Sequence, residues 1–365
     1  MKIAQIAPLY ETVPPHFYGG TERVVSYLTE ELVRQGHDVT LFASGDSVTS
    51  AGLVPCCARS LRLETSCVDP LPHHLLMLEK VYARAHQFDI LHFHIDYLHF
   101  PLSRRLCSNH VTTLHGRLDI PDLVPLYQEF SDMPVISISD AQRRPLSWLN
   151  WAGTVHHGLP PELLPFNPTG GRYLAFLGRI SPEKGVENAI AIARRSGVAL
   201  KIAAKVDKAD VHYYEKEIKP LLDGPLVEFL GEIREEEKKD FLGNALALLF
   251  PIEWEEPFGL VLIESMACGT PVIAFARGSV PEVVKDGVSG IVVRDLDEAV
   301  GAVAQVATLS RLKCREHFEE RFVAARMAAD YLALYRELMA GRQSVGAQEA
   351  PMPLFAGERP EDTWR

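Results

Sequence analysis

Short apolar segments alternate along the chain with longer amphipathic ones. The apolar segments are typical of strands buried on both faces of a parallel sheet. The amphipathic segment at 21–36 places apolar residues at helical spacing between Thr21, a suitable N-cap, and Gly36, a stop signal. This alternation predicts an α/β fold built from β-loop-α-β units. The predicted strands lie at residues 2–8, 38–44, 88–94, 110–115, 133–139, 172–178, 199–205, 226–231, 245–251 and 271–276.

A stretch rich in Pro and Gly at 156–171 separates two halves with similar patterns. Because a chain of 365 residues is long for one core, we expect two Rossmann-like parallel-sheet domains that face each other across a cleft. Their predicted bounds are 1–160 and 161–315. A strong helical pattern follows over 316–340, and the tail at 341–365 has no periodicity, which predicts disorder.

Composition and charge narrow the function class. The net charge of -11 argues against nucleic acid as a partner, since phosphate backbones require a basic surface. The N-terminus lacks the apolar region of a signal peptide, and no apolar run reaches the length of a membrane helix. The six cysteines show no metal-site spacing. We therefore expect a cytoplasmic protein with free thiols.

Two glutamates, Glu256 and Glu264, flank a predicted helix start near Phe258–Leu260. A helical path of this length separates the carboxylates by roughly 12 Å, whereas glycosidase pairs lie about 5–9.5 Å apart. Hydrolysis by a carboxylate pair is therefore disfavoured. One extended ligand that touches both glutamates fits the spacing, with an anion at the helix start between them. The pattern alone leaves open that both are exposed surface charges.

Two cations follow a predicted strand that ends at Leu177. Gly178 is expected to turn the chain, which leaves Arg179 and Lys184 in or after the loop. A guanidinium fork and a lysine point charge at this edge suit a diphosphate. An ordinary surface turn is the alternative.

In the first half, Gly19 and Gly20 precede a helix start, where glycine lets the backbone approach a ligand closely. They form neither a dinucleotide-binding GxGxxG motif nor a P-loop. His115 ends a strand at the expected cleft edge, although a simple polar cap fits equally. No metal site is expected, because the grouped histidines lack cysteine or acidic partners in suitable spacing. These histidines are His73, His74, His92, His94, His99, His156 and His157.

Together these residues resemble the GT-B-fold retaining glycosyltransferases of family 4, also called group 1 glycosyltransferases. The resemblance runs from residue 1 to about 340. It rests on GRxxxxKG at 178–185, on EPFGLVLIE at 256–264, and on the downstream ACGTPVIA and GSVPEVVKDGVSG. It implies transfer of a sugar, expected to be a hexose, from a nucleotide diphosphate donor to an acceptor with retention of anomeric configuration.

The resemblance also implies roles for individual residues. Arg179 and Lys184 would hold the donor diphosphate, Glu256 the sugar hydroxyls and Glu264 the ribose. The backbone at Phe258, Gly259 and Leu260 would cap the phosphates, Gly19 and Gly20 would approach the donor, and His115 would lie beside the transferred sugar. The helix at 316–340 would cross back onto the first domain, and neither a metal nor another cofactor is expected.

Part of the pattern departs from the family or does not transfer. His157 stands where relatives commonly have asparagine, so its contact is open. Acceptor recognition would rest on loops of the first domain that carry no transferable motif. A nucleotide-sugar epimerase and a non-catalytic nucleotide-sugar binding protein are alternatives. The acceptor, whether sugar, lipid-linked or small molecule, and peripheral membrane contact are open.

Overall fold

The computed structural model describes residues 1–16, 19–62, 64, 66–106 and 108–345, with side chains as far as 340. Within these residues the chain forms one sheet of seven strands and one of six. All strand pairs are parallel. The predicted α/β class with two parallel-sheet halves is confirmed.

We call the first sheet, its helices and the last helix of the chain the N-lobe. The strand order of this sheet is β3-β2-β1-β4-β5-β6-β7. Its strands are β1 (Lys2–Ile6), β2 (Asp38–Ser44), β3 (Gly52–Cys57), β4 (Ile90–Phe93), β5 (His110–Thr113), β6 (Val135–Ser137) and β7 (Trp151–Thr154). Its first helices are α1 (Gly20–Arg34), α2 (Leu71–Tyr82), α3 (Phe100–Leu106), α4 (Leu123–Glu129) and α5 (Asp140–Arg143).

We call the second sheet with its helices the C-lobe. Its strand order is β10-β9-β8-β11-β12-β13. The strands are β8 (Tyr173–Arg179), β9 (Leu200–Lys205), β10 (Val227–Gly231), β11 (Ala245–Phe250), β12 (Val272–Phe275) and β13 (Gly290–Val293). The helices are α6 (Val186–Ser196), α7 (Val211–Tyr213), α8 (Glu235–Gly243), α9 (Leu260–Ala267), α10 (Val280–Val283), α11 (Leu296–Val306) and α12 (Arg311–Arg321); α13 (Ala324–Val345) then returns to the N-lobe.

Three strands escaped prediction, and each lies at the edge of its sheet: β3, β7 and β13. The strand β3 contains Pro55, which is tolerated at an edge because the outer side needs no ladder hydrogen bond. The strands β7 and β13 have four residues each and are only partly buried. An edge strand is covered less completely, so its sequence lacks the continuous apolar run of a central strand. By contrast, all four residues of β4 are buried.

The helix predicted over 316–340 is two helices. Helix α12 ends at Arg321, and α13 starts at Ala324 and continues to Val345. Between them the chain pairs with Leu159, whose N–H donates to the Phe322 carbonyl and whose carbonyl accepts from the Ala324 N–H, both at 2.8 Å. Because these backbone groups bond to Leu159, they do not form the hydrogen bonds of one continuous helix. Residues 346–365, most of the predicted disordered tail, lie outside the described residues.

Helix α13 packs on α1 and β7 of the N-lobe. Its Tyr331 and Tyr335 are fully buried. The Thr113 hydroxyl donates to the Tyr331 hydroxyl at 3.0 Å, and the Tyr335 hydroxyl hydrogen-bonds to His92 Nδ1 at 2.6 Å. The last helix therefore anchors the end of the described chain in the first sheet, while the residue bounds given above for the two domains stay predictions. Across the described residues, no helix has the length and apolar character needed to cross a membrane.

We expect Tyr335→Ala to lower the free energy of unfolding by about 3–5 kcal/mol, because it deletes a buried ring. Tyr335→Phe removes only the hydroxyl and should lower it by about 1–2 kcal/mol. Urea denaturation measures both. The control Leu312→Ala, at a side chain that is 54% exposed, should stay within about 0.5 kcal/mol of the unmodified chain. Equal losses for Tyr335→Ala and Leu312→Ala would contradict an anchoring role for Tyr335.

Candidate active site

A cleft of about 680 Å³ lies between the lobes. In an open parallel sheet, ligands bind beyond the carboxyl ends of the strands. All ten residues predicted for the site line this cleft: Gly19, Gly20, His115, Arg179, Lys184, Glu256, Phe258, Gly259, Leu260 and Glu264. The fold thus brings together residues that lie far apart in sequence.

Arg179 is the last residue of β8, so the strand runs two residues beyond the predicted end at Leu177. Its guanidinium contacts Glu183 at 2.6 Å and lies 3.6 Å from Asp207 and 3.9 Å from Asp210. The surrounding carboxylates hold Arg179 at the cleft wall. Its charge is balanced by protein groups when no anionic ligand is bound.

Lys184 ends a short 3₁₀ turn and pairs with Glu256 at 2.5 Å. The two side chains are only 17% and 12% exposed. Trp254 completes the cluster, since its indole N–H donates to Glu256 at 3.1 Å and its ring lies 4.9 Å from Lys184 Nζ. A charge pair with this little water is strong, and an anion that binds Lys184 must compete with Glu256.

Two glycines let the loops that carry these charges pack closely. Gly185 has φ +69°, and a Cβ there would lie 2.0 Å from the Pro251 carbonyl oxygen. Gly278 has φ +52°, and a Cβ would lie 2.3 Å from the Glu256 carbonyl oxygen. Any side chain at either position would displace the loop next to it. The glycine after Lys184 in GRxxxxKG therefore serves the packing that places Lys184.

Two helix starts also face the cleft. Helix α1 begins at Gly20 rather than after Thr21, and α9 begins at Leu260, within the predicted interval. Neither start has a side-chain cap, so their first N–H groups keep the capacity to bind an anion. A Cβ at Gly20 would lie 3.5 Å from Leu260 Cδ1, which shows how closely the two starts approach.

Glu264 has different partners from Glu256. It is buried within α9, and it accepts from Lys238 Nζ at 2.7 Å. Lys238 also pairs with Glu235 at 3.1 Å, and Glu235 pairs with Arg23 of the N-lobe. The two glutamates thus belong to separate charge clusters at the cleft. Lys238 and Trp254 were missed by the sequence analysis, because neither lies in a motif and only the fold brings them to the carboxylates.

His115 is held by a hydrogen-bond chain that reaches the interior of the N-lobe. His94 Nε2 donates to the side-chain oxygen Oε1 of Gln5 at 2.8 Å, which leaves Nδ1 of a neutral His94 as an acceptor. His115 Nε2 therefore donates to that Nδ1, at 2.9 Å. Nδ1 of neutral His115 is then an acceptor, and it has no hydrogen-bond partner among the described residues.

Among the histidines grouped in the sequence, His92, His94 and His99 are buried hydrogen-bonding residues of the N-lobe. Burial lowers the pKa of His92, His94, His99 and His157 well below the ordinary value, and it lowers that of His115 to about 3. These imidazoles are therefore neutral near pH 7. The His157 ring stacks on His115 with 5.4 Å between centroids.

No group of three or more histidine, cysteine, aspartate or glutamate side chains is arranged to hold a metal in the part of the chain that the structure describes. The expectation that the enzyme uses no metal stays a prediction.

Comparison with known proteins identifies the family. A model of Glycosyltransferase Family 4 matches residues 18–179, and a model of Glycosyl transferases group 1 matches residues 165–321. The chain belongs to the group 1, family 4 glycosyltransferases. Its N-lobe and C-lobe match the two successive family models, and the resemblance inferred from the sequence is confirmed.

Individual relatives share this architecture. An uncharacterized glycosyltransferase of Methanocaldococcus jannaschii is 26% identical over 342 residues, covering 80% of this chain and 84% of the relative. Sucrose-phosphate synthase from Thermosynechococcus elongatus superposes with a TM-score of 0.75 at 21% identity, covering 93% of this chain and all of that one. HepE from Anabaena, in complex with UDP-glucose, superposes with a TM-score of 0.68 at 18% identity, covering 94% of this chain and all of HepE. At these identities the two structures establish the GT-B fold of this glycosyltransferase.

The buried histidines predict how stability depends on pH. Their folded-state pKa values lie below the ordinary 6.5, so the unfolded chain binds more protons once the pH falls below that value. The contribution of the neutral histidines to the free energy of unfolding is complete above pH 6.5. It is lost as the pH falls, by at most about 1.4 kcal/mol per pH unit for each histidine. Denaturation in urea from pH 7.5 to 5 should show this decline.

A matched pair of variants assigns the decline to burial. His99→Gln removes a buried imidazole and should reduce the slope of the free energy of unfolding against pH by the equivalent of about one bound proton. His86→Gln, at an exposed position, should leave this slope unchanged. A flat stability profile between pH 6.5 and 5 would contradict the neutral, buried state of these histidines.

Proposed function

We propose that this glycosyltransferase transfers a hexose from a nucleotide diphosphate sugar to a hydroxylated acceptor with retention of anomeric configuration. The observation that carries the proposal is the convergence of two cations, two uncapped helix starts and two separate carboxylates on one cleft. This set matches the parts of a nucleotide sugar. The cations and helix starts suit the diphosphate, and the carboxylates suit hydroxyl groups on either side of it.

Arg179 and Lys184 are proposed to hold the diphosphate and to stabilise the charge that develops on it as the sugar leaves. Both cations are paired with carboxylates of the protein. Donor binding would therefore exchange partners, with phosphate oxygens replacing Glu183 at Arg179 and Glu256 at Lys184. The backbone of Phe258, Gly259 and Leu260 would add N–H groups at the start of α9.

The exchange at Lys184 frees the Glu256 carboxylate for hydroxyls of the donor sugar. Glu264, in the other charge cluster, is assigned to the ribose. Nδ1 of His115 is a buried acceptor without a hydrogen-bond partner among the described residues, and buried polar groups ordinarily form at least one hydrogen bond. A hydroxyl of the transferred sugar would supply one, which supports the place of His115 beside that sugar.

Gly19 and Gly20 are proposed to bring the start of α1 to the donor from the N-lobe side. A Cβ at Gly20 would lie 3.5 Å from Leu260 Cδ1, and this close approach supports a common ligand for the two helix starts. Closure of the lobes there would exclude water and favour transfer over hydrolysis.

The two cations neutralise the leaving diphosphate in this proposal, so no metal or other cofactor is assigned. The UDP-glucose bound to HepE makes a UDP-sugar the first donor to test. All five described cysteines are free thiols, which supports the reducing cytoplasm as the compartment.

The proposal predicts that Lys184→Ala lowers turnover by about 10²- to 10³-fold, because the leaving diphosphate loses a positioned cation. The measurement is release of UDP from UDP-glucose in the presence of an acceptor panel. Lys216→Ala is the matched control, since Lys216 is 69% exposed and lies outside the cleft. Circular dichroism should show both variants folded.

Full activity of folded Lys184→Ala would contradict the assignment of the diphosphate cation. Product analysis by NMR separates the remaining alternatives. Retention requires the anomeric proton coupling of the product to match that of the donor. Isomerised donor without acceptor would identify an epimerase, and donor binding without turnover across the panel would identify a binding protein.

A further inference from the structure

A single aspartate in the cleft has a strained backbone. Asp96 follows β4 and has φ +51°, and it is the one residue other than glycine with positive φ among those that the structure describes. Its side chain is exposed to the cleft, which it lines from the N-lobe side. A left-handed residue other than glycine is retained where the surrounding structure enforces it, commonly at a functional site. The donor site proposed above does not include this carboxylate.

Asp96 lies next to the proposed point of sugar transfer. The backbone N–H of His115 hydrogen-bonds to its carboxylate. His115 follows β5, the neighbour of β4 in the sheet, so the two loops emerge side by side. The carboxylate therefore lies beside the histidine assigned to the transferred sugar, on the lobe opposite Arg179 and Lys184.

Two aromatic rings line the cleft with Asp96. Tyr97 is its neighbour in sequence, and Tyr10 is 41% exposed. Burial raises the pKa of Tyr10, the positive charge of Arg62 opposes this shift and the charge of Asp96 adds to it, so Tyr10 and Asp96 lie within electrostatic range. Tyr10 packs on His74 with 5.0 Å between ring centroids. These rings offer apolar faces with polar tips, which suit the faces and hydroxyls of a sugar ring.

The charge balance of this region disfavours an anionic ligand. Arg62 lines the same cleft and pairs with Glu11 at 2.8 Å. Among the described residues no cation contributes to the pKa shift of Asp96, so the protein leaves the negative charge of this carboxylate uncompensated. A phosphorylated acceptor would meet like charge here.

We propose that Asp96, Tyr10 and Tyr97 form the acceptor subsite and that the acceptor is an uncharged, polyhydroxylated molecule such as a sugar. This inference rests on the proposed function. The Asp96 carboxylate accepts hydrogen bonds from acceptor hydroxyls, and the two tyrosine rings support the acceptor ring. Hydrogen bonds from neutral donors to a carboxylate are stronger than those between neutral groups.

The subsite should depend on pH. Although Asp96 is accessible from the cleft, the surrounding protein desolvates its carboxylate and raises its pKa to about 6, and the hydrogen bond from the His115 N–H opposes this shift. Burial lowers the pKa of the facing His74, His94 and His115 and raises that of Tyr10 and Tyr127, so these five groups titrate elsewhere. Arg62, which lines the same cleft, pairs with Glu11. Since the ionised form binds hydroxyls best, acceptor KM should fall as the pH rises through about 6.

The test compares uncharged probes with phosphorylated ones. The uncharged probes are glucose, methyl glucoside, maltose and myo-inositol; the charged ones are glucose 6-phosphate, fructose 6-phosphate and inositol phosphate. Release of UDP from UDP-glucose is measured with each, for the unmodified chain, Asp96→Asn and Asp38→Asn. Asparagine tolerates left-handed φ, so Asp96→Asn keeps the backbone and removes only the charge. Asp38 is exposed at the start of β2, outside the cleft.

We expect at least one uncharged probe to stimulate release and no phosphorylated probe to match it. Asp96→Asn should raise acceptor KM about tenfold or more and remove its pH dependence, with the Kd for UDP within twofold of the unmodified chain. Asp38→Asn should leave the acceptor KM, its pH dependence and the Kd for UDP unchanged. Asp96→Gly relieves the strain and removes the carboxylate, so it should also raise KM without loss of thermal stability.

Preference for phosphorylated probes, no stimulation by any uncharged probe, or an unchanged KM in Asp96→Asn would each overturn the acceptor assignment. These outcomes are distinct from failure of the proposed function. That failure would appear as absence of UDP binding and of UDP release in the unmodified chain.

Discussion

The cleft depends on the neutralisation of charge in a place with little water. Lys184 and Glu256 are mostly buried, and each is compensated mainly by the other. A buried charge without its partner is costly, so each side chain holds the other in position. Neighbouring charge clusters follow the same rule, as Arg179 is surrounded by carboxylates and Glu264 is paired with Lys238. The charged side chains of the site are thus held in place by partners within the protein.

The two parallel sheets bring these clusters together. Each sheet directs the carboxyl ends of its strands to the cleft, and contacts between the lobes fix their relation. The Glu282 carboxylate accepts from the backbone N–H groups of Asp140 and Ala141, and the Ser139 hydroxyl donates to the Pro257 carbonyl at 2.6 Å. These bonds join loops of the two lobes next to the cleft.

Much of the fold follows from sequence patterns. Central strands such as β4 need apolar residues on both faces and were predicted, whereas the edge strands β3, β7 and β13 are covered less and were missed. The break between α12 and α13 also escaped prediction, because it arises from pairing with Leu159, far away in sequence. Local periodicity carries no information about such a partner.

The residues of the site were likewise predicted only in part. Arg179, Lys184, Glu256 and Glu264 lie in motifs with a physical meaning, and all four line the cleft. Lys238, Trp254 and Asp96 lie outside those motifs, and their importance comes from what the fold places beside them. His92 and His94 were assigned no metal from the sequence, and the fold gives them the partners Thr113, Tyr335, Gln5 and His115. Sequence spacing indicates which groups are chemically capable, and tertiary packing decides which partners they have.

A crystal structure with intact UDP-glucose would show whether the charge partners are exchanged on donor binding. We expect Lys184 Nζ and the Arg179 guanidinium at about 2.7–2.9 Å from diphosphate oxygens. We also expect Glu256 to leave Lys184 and to bind hydroxyls of the sugar. A bound donor whose diphosphate lies elsewhere, with Lys184 still paired to Glu256, would contradict this exchange.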